Sequence, residues 1–169
     1  MASSESKAVV ASPPLPAEGA FRQMLRTSGL IERVMQPYFA RFGISGAQWG
    51  VLRNLQRAEV EGQPALRLTD LSERLLIRPP SVTSVVDRLE RAGFVSRGDS
   101  TSDLRAKQLA LTVRGRQLVE RVLAVHDSQI NTVMDGLTAA EQVKLQKLLR
   151  RLEKHLDEVL AEGVPASVG

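Results

Sequence analysis

The strongest constraint on the fold is a change of hydrophobic periodicity in the middle of the chain. Two short segments with apolar residues at three- and four-residue spacing are separated by Pro79 and Pro80, and the second segment ends at Gly93. Proline in the first turn of a helix costs no hydrogen bond, so this pair ends one helix and begins the next. The alternating segments 94–97 and 107–111 then predict the two strands of a hairpin. Helix, turn, helix and hairpin in this order predict a winged helix-turn-helix.

The rest of the chain is predicted to be helical. Apolar residues recur on one face from Glu18 onward, with Pro37 expected to kink or split this helix, and again in two long segments after Thr112. Ser45-x-x-Gln48 and Thr138-x-x-Glu141 have the form of capping boxes, which mark helix starts. The predicted fold class is mainly α with a small β-hairpin wing (α+β).

The excess of positive charge is confined to one segment. The formal net charge is +4, and between Arg67 and Arg116 nine Arg and one Lys stand against six Asp and Glu, so the rest of the chain is neutral. A basic lobe on a neutral body is typical of a protein that binds a polyanion. Chance clustering on a solvated face is the alternative.

The sequence divides into a tail, a helical region and a basic lobe. Residues 1–17 are small, polar and interrupted by proline, which predicts a disordered tail. Segments 18–43 and 113–162 are predicted to form a helical dimerisation region, and 44–112 the winged helix-turn-helix lobe. The broad apolar stripes of the helical region need a partner surface, which a two-fold homodimer would supply. An intramolecular bundle is the alternative.

Composition excludes several classes of function. The chain has no cysteine, so disulfides and thiol chemistry are excluded. No apolar stretch reaches the roughly 20 residues that span a bilayer, and no secretory signal is present, so we expect a cytoplasmic protein with no membrane partner. His126 and His155 lack carboxylates at ligand spacing, so no metal or cofactor is expected. The absence of a Gly-rich phosphate loop and of a nucleophile elbow argues against an enzyme.

Three stretches carry a resemblance to a known family. Residues 44–52 resemble the start of that family's second helix, and 80–95 its recognition helix and the exit into the wing. Residues 103–105, followed by 109–112 and Gly115, resemble its wing. In this order and spacing the chain is similar to the MarR (multiple antibiotic resistance regulator) family over about 21–160. The resemblance implies a homodimeric winged-helix transcription factor, often a repressor and frequently controlled by a small amphipathic ligand.

The helix after the proline pair is the predicted DNA reader, since an α-helix fits the major groove. Its hydroxyls at Ser81 and Thr83 can reach bases or phosphates, although helix-start capping is an alternative role. Ser84 departs from the family, which often has Arg there. Arg88, one turn further, is expected to meet phosphate, and Arg78 to clamp the backbone beside the groove; a solvated role is the alternative for Arg78.

The hairpin is expected to contact the minor groove and the phosphates beside it. By analogy with the family, Arg105 enters the minor groove, where negative potential is focused, and Asp103 braces the loop. Arg97 and Lys107 are predicted to touch phosphate; pairing with Asp99 or Asp103 is their alternative. Two such lobes predict a pseudo-palindromic operator with half-sites about 10 bp apart.

An effector site is predicted near the junction of the first two helices, because family ligands sit between the dimerisation helices and the winged lobe. The candidate ligand-binding residues are Met35, Tyr38, Phe39 and Trp49, for which core packing is the alternative role. An aromatic carboxylate or phenol is the hypothesised ligand. The sequence thus predicts a dimeric, sequence-specific DNA-binding regulator, a repressor released by such a ligand; a winged-helix adapter that binds protein instead of DNA is the alternative.

Overall fold

The computed structural model describes residues 15–75, 79–99 and 107–163. Over these residues the chain is mainly helical with one small antiparallel sheet, which confirms the predicted fold class. The elements in chain order are α1 (Pro16–Ala40), α2 (Gly46–Val60), β1 (Leu66–Arg67), α3 (Leu68–Leu75), α4 (Pro79–Arg91), β2 (Val95–Asp99), β3 (Lys107–Leu111), α5 (Val113–Met134) and α6 (Ala139–Glu162).

The sheet has the order β1-β3-β2, with both pairings antiparallel. Leu109 of β3 is paired with Leu66 of β1, and Leu111 with Val95 of β2. All four side chains are buried, because alternate residues of a strand face the same side of the sheet. We call β2 and β3 together the wing; its hairpin pairing agrees with the alternating pattern of the sequence.

Both predicted capping boxes are present. Ser45 Oγ accepts a hydrogen bond from the Gln48 amide at 3.2 Å, and Gln48 Oε1 accepts one from the Ser45 amide at 2.8 Å. At the start of α6, Glu141 Oε2 accepts from the Thr138 amide at 2.9 Å and from the Thr138 hydroxyl at 2.7 Å. These bonds to Thr138 lower the pKa of the Glu141 carboxyl, since they favour its charged form.

Helix α1 is not split at Pro37. It continues to Ala40, because a proline so close to the C-terminal end removes one backbone hydrogen bond and leaves the preceding turns intact. Gly43 then ends the helical path with a φ of 72°, a backbone conformation that favours glycine. The Gly43 amide donates to Ala40 O at 3.0 Å and the Ile44 amide donates to Phe39 O at 3.3 Å.

The chain forms two compact units, of which the first ends at Arg116. In the first unit, apolar side chains from α2, α3, α4 and the sheet form the core. Its most completely buried members include Val51, Leu52, Leu71, Val82, Val86, Leu89, Val95 and Leu109. In the second unit, α5 carries the buried side chains of Leu118, Val119 and Val122, whereas α6 has no buried residue.

The start of α5 is fixed to the end of α4 by close contacts. The Thr112 hydroxyl donates to Gly93 O at 2.7 Å and accepts from the Gly115 amide at 3.0 Å. A Cβ at Gly115 would lie 2.0 Å from the Phe94 carbonyl oxygen, so only glycine fits there. The turn that ends α4 is thereby tied to the end of β3 and the start of α5.

Within the described ranges, no helix combines the length and the hydropathy that a membrane span requires.

Candidate nucleic-acid interface

Helix α4 has one buried and one exposed face. Val82, Val86 and Leu89 are at most 1% exposed and anchor the helix to the core of the first unit. Since 3.6 residues make a turn, the opposite side of the helix must face solvent. The exposed residues of that side are Ser81, Ser84, Arg88 and Arg91. We call these four residues the α4 stripe; Thr83, beside it, is half-buried.

The guanidinium of Arg88 is folded back along α4 onto Ser84. Arg88 Nη2 donates to Ser84 Oγ at 3.1 Å, and Arg88 Nε donates to Ser84 O at 3.3 Å. Long side chains on a helix lean toward its N-terminus, which favours this path. The positive charge of Arg88 therefore lies one turn nearer the start of the helix than its Cα.

Arg97 connects the wing to α4. Its guanidinium forms an ion pair with Asp87 and a second with Glu90 Oε2 at 3.5 Å. The structure pairs it with these two carboxylates of α4. Sequence reasoning missed them because they lie on another element, ten and seven residues earlier. These two ion pairs link β2 to α4 beside the stripe. The alternative partners that the sequence offered, Asp103 and the side chain of Asp99, lie outside what the structure describes, so pairing with them stays a prediction.

Two further basic residues of the first unit are also held by carboxylates. Arg74 of α3 donates to Glu61 Oε2 and to Gln63 Oε1, both at 3.0 Å. Arg116 Nε donates to Glu59 Oε1 at 2.8 Å, and this hydrogen bond raises the pKa of Arg116. These contacts link the C-terminal end of α2 and the residues after it to α3 and to the start of α5.

Several predicted contact residues lie beyond what the structure describes. Arg78, Asp103 and Arg105 fall outside the described ranges, and their proposed roles stay predictions. Lys107 begins β3, where its Cα is paired in register with that of Asp99 at the end of β2. Ser81, Thr83, Ser84, Arg88 and Arg97 are described, and the structure brings them together on α4 and the adjoining strand.

The four predicted ligand-binding residues are all buried, at 4–7% exposure. Tyr38 and Phe39 lie edge to face with ring centroids 5.0 Å apart, and Phe39 and Trp49 have centroids 6.0 Å apart. Burial raises the pKa of the Tyr38 hydroxyl, with Arg41 acting in the opposite direction. This aromatic cluster joins the end of α1 to the start of α2.

A cleft of about 320 Å³ lies beside the aromatic cluster. Met35 and Phe39 line it, whereas Tyr38 and Trp49 are not among its lining residues. The remaining lining residues are Glu32, Arg33, Gln36, Ser45, Gly46 and Ala47. The polar residues of α1 in this set were not found from the sequence, because exposed polar residues on an amphipathic helix give no distinctive pattern. In the parts of the chain that the structure describes, no cluster of three potential metal-ligating side chains occurs.

The fold and this surface together define a class of protein. A short helix pair whose second member presents a polar, cationic stripe, followed by a paired hairpin, is the architecture of a winged helix-turn-helix DNA-binding protein.

Comparison with known proteins identifies the family. Residues 44–107 match the model of the MarR family. The chain is 32% identical over 132 residues to the HTH-type transcriptional regulator PecS of Dickeya dadantii (strain 3937), covering 78% of each protein. It is 32% identical over 136 residues to the HTH-type transcriptional repressor YetL of Bacillus subtilis (strain 168), covering 80% of each. The chain belongs to the MarR family and is a DNA-binding transcriptional regulator.

Solved structures share the fold. AbsC, a MarR family transcriptional regulator from Streptomyces coelicolor, gives a TM-score of 0.75 at 23% identity, covering 88% of this chain and 99% of AbsC. A mutant of MarR from E. coli, complexed with operator DNA, gives a TM-score of 0.73 at 24% identity, covering 83% and 99%. Bordetella bronchiseptica BpsR gives 0.71 at 24% identity, covering 80% and 98%.

Proposed function

We propose that this protein is a homodimeric repressor that binds a pseudo-palindromic operator and is released by a small aromatic ligand. The observation that carries the proposal is the α4 stripe, a polar and cationic helix face held outward by three buried side chains. Such a helix fits the major groove of B-DNA, where each base pair presents a distinct pattern of donors and acceptors. The protein would act on chromosomal DNA in the cytoplasm as a binding protein without catalytic activity.

Each lobe would contact DNA through α4 and the wing. Ser81, Thr83 and Ser84 lie in the first half of α4, the part of a recognition helix that contacts bases. We assign phosphate contacts beside the groove to Arg78 and Lys107. The charge of Arg97 is shared with two carboxylates, so its proposed contribution is to hold the wing in place.

The tip of the wing is assigned to the minor groove. Arg105 would insert where the narrow groove focuses negative potential, and Asp103 would brace the loop. In the sequence, Asp103 and Arg105 come between the last residue of β2 and the first residue of β3.

Exposed apolar residues support a homodimer. On α1 they include Phe21, Leu25 and Val34, which are 54–61% exposed, and the buried residues of this helix all lie at its C-terminal end. On α6, Leu148, Leu149 and Leu156 are 46–50% exposed. Long helices with an uncovered apolar stripe are stable when a partner covers it. A second copy of the chain would bury these stripes and place two α4 stripes on one duplex.

The names of similar proteins support three parts of the proposal, namely repression, operator binding and control by a ligand. YetL is called a repressor. The structure of the E. coli MarR mutant contains operator DNA, and S. aureus MepR was also solved as a DNA complex. DNA binding by BpsR is described as regulated by 6-hydroxynicotinic acid, an aromatic carboxylate.

The cleft beside the aromatic cluster is our proposed effector site. Its apolar wall of Met35 and Phe39 suits an aromatic ring, and Arg33 on its rim suits a carboxylate. Trp49 contacts Phe39, so occupation of the cleft should change its fluorescence. Titration of a panel of aromatic carboxylates and phenols should quench Trp49 and release operator DNA; a panel that leaves both signals unchanged contradicts this part of the proposal.

The direct test of the proposed function is an electrophoretic mobility shift with the promoter of the adjacent divergent gene and an unrelated duplex as competitor. Binding of promoter DNA that survives an excess of competitor supports the repressor. Arg105→Ala should weaken it by about 1–3 kcal/mol. Failure to shift any duplex would instead favour the winged-helix adapter.

A further inference from the structure

In the α4 stripe, the guanidinium of Arg88 is held by two hydrogen bonds to the same residue. Both hydrogen bonds that it makes to described residues go to Ser84, one to the hydroxyl and one to the backbone carbonyl. Two contacts to the same residue fix the plane of the guanidinium as well as its position. A group fixed in this way loses less conformational freedom on binding a ligand than a free side chain does.

The N–H groups of Arg88 that do not bind Ser84 can donate to two acceptor atoms lying side by side in one plane. A guanidinium carries five N–H groups in a rigid fork, and Ser84 accepts from one on Nε and one on Nη2. The other three, two on Nη1 and one on Nη2, have no acceptor among the described residues. Donors on Nη1 and Nη2 together match two adjacent acceptors, such as O6 and N7 of guanine in the major groove.

The position of the Arg88 guanidinium along α4 is also suited to contact with a base. Residues near the N-terminus of a recognition helix reach base edges, whereas those near its C-terminal end lie by the backbone. Arg88 starts ten residues into the helix, but Ser84 holds its guanidinium one turn closer to the N-terminus. Arg91 offers a contrast within the same stripe, since its Nε donates to Asp87 O and its head group lies a turn further along.

We propose that Arg88, anchored on Ser84, is a specificity-determining residue that reads one guanine in each operator half-site. The phosphate contact expected from the sequence is thereby replaced by a base contact. This inference rests on the proposed function, because it requires the α4 stripe to enter the major groove.

The test compares operator selection by the wild-type protein, Arg88→Lys and the matched control Arg91→Lys. Each protein enriches sequences from a pool of random duplexes after its thermal midpoint has been shown to equal that of wild type. Lysine keeps the positive charge but lacks the fork. We expect Arg88→Lys to lose preference for one guanine per half-site by about 5- to 150-fold, the range of one bidentate pair. Arg91→Lys should select the wild-type site.

A base analogue then tests the contact itself. Placing 7-deazaguanine at that position removes the N7 acceptor, so it should weaken binding by the wild type and leave binding by Arg88→Lys unchanged. If Arg88→Lys selects the same bases as wild type, with a uniform change of affinity, the inference is overturned and Arg88 is a phosphate contact. A wild-type protein that enriches no sequence overturns the proposed function, and the inference with it.

Discussion

Arg97 lies on β2, and both of its carboxylate partners lie on α4. Its guanidinium is about one-third exposed, so the pairs are screened by water and contribute little to global stability, about 0–1 kcal/mol. Their effect is local. They link the wing to the α4 stripe, and we expect them to set the angle from which the wing would approach DNA.

We expect Arg97→Met to weaken operator binding by releasing the wing. The measurement is a double-mutant cycle with Arg105→Ala, followed by fluorescence anisotropy on an operator duplex. When the wing is no longer held by Arg97, Arg105 should contact the minor groove less well. Arg105→Ala should therefore cost less affinity in the Arg97→Met background than in wild type. If the two losses simply add, and the salt slope falls by about 1 for each Arg97 removed, Arg97 contacts phosphate directly.

Gly115 is a second residue whose neighbours dictate its identity. Gly115→Ala would place a methyl group 2.0 Å from the Phe94 carbonyl oxygen, which belongs to backbone and cannot rotate away. We expect a loss of about 1–3 kcal/mol in the free energy of unfolding, measured by urea denaturation. Gly136→Ala is the matched control, because nothing lies within 4 Å of its Cβ and it should stay within about 0.5 kcal/mol of wild type. Equal stability of the two variants would contradict this prediction. It would show that the backbone at Phe94 and Gly115 can move apart with no loss of unfolding free energy.

Most of the helices and strands could be predicted from the sequence because their determinants are local. The two capping boxes and the alternation of Val95, Leu109 and Leu111 each depend on neighbouring residues, and the structure confirms them. Pro37 shows the limit of local reasoning. Whether Pro37 splits α1 depends on how far it lies from the C-terminal end of the helix. That end is set by Gly43, where the chain leaves the helical conformation.

The start of α6 gives a prediction about pH. Thr138 lowers the pKa of Glu141 from its ordinary value of 4.5, so the carboxylate stabilises the folded chain above that value. This stabilisation is lost as pH falls through the lowered pKa, because the protonated carboxyl is a poorer acceptor. The unfolding free energies of wild type and Glu141→Gln should therefore converge as pH is reduced from about 6 to about 3. A difference that stays constant across this range would contradict the assignment.

Candidate-site residues were predicted less completely than the fold. Ser84 and Arg88 are four residues apart on one helix, so their contact follows from helical geometry once the helix is located. The pairing of Arg97 with Asp87 depends on the angle between a strand and a helix, which no local pattern encodes. The same holds for the cleft: Met35 and Phe39 line it, but which aromatic residues lie behind them is decided by packing.

The proposed operator binding requires two copies of the chain. The wild-type protein should sediment at about twice 18.5 kDa in analytical ultracentrifugation. Leu25→Glu and Leu149→Glu each place a charge on an exposed apolar stripe and should shift the protein toward monomer, since burying an unpaired charge is costly.

Val60→Glu is the control for these variants. Val60 is 78% exposed at the end of α2, outside both stripes, so its substitution should leave the dimer intact. A wild-type protein that sediments as a monomer at micromolar concentration would contradict the assignment of α1 and α6 to an interface.

If paired basic lobes bind duplex DNA, the affinity for the operator should depend steeply on salt concentration, which can be measured between about 50 and 200 mM. If about ten phosphates are neutralised per dimer, the logarithm of the association constant should fall against the logarithm of salt concentration with a slope of about −9. A slope shallower than about −3 would mean that the charge between Arg67 and Arg116 does not contact the duplex, and would contradict the proposed function.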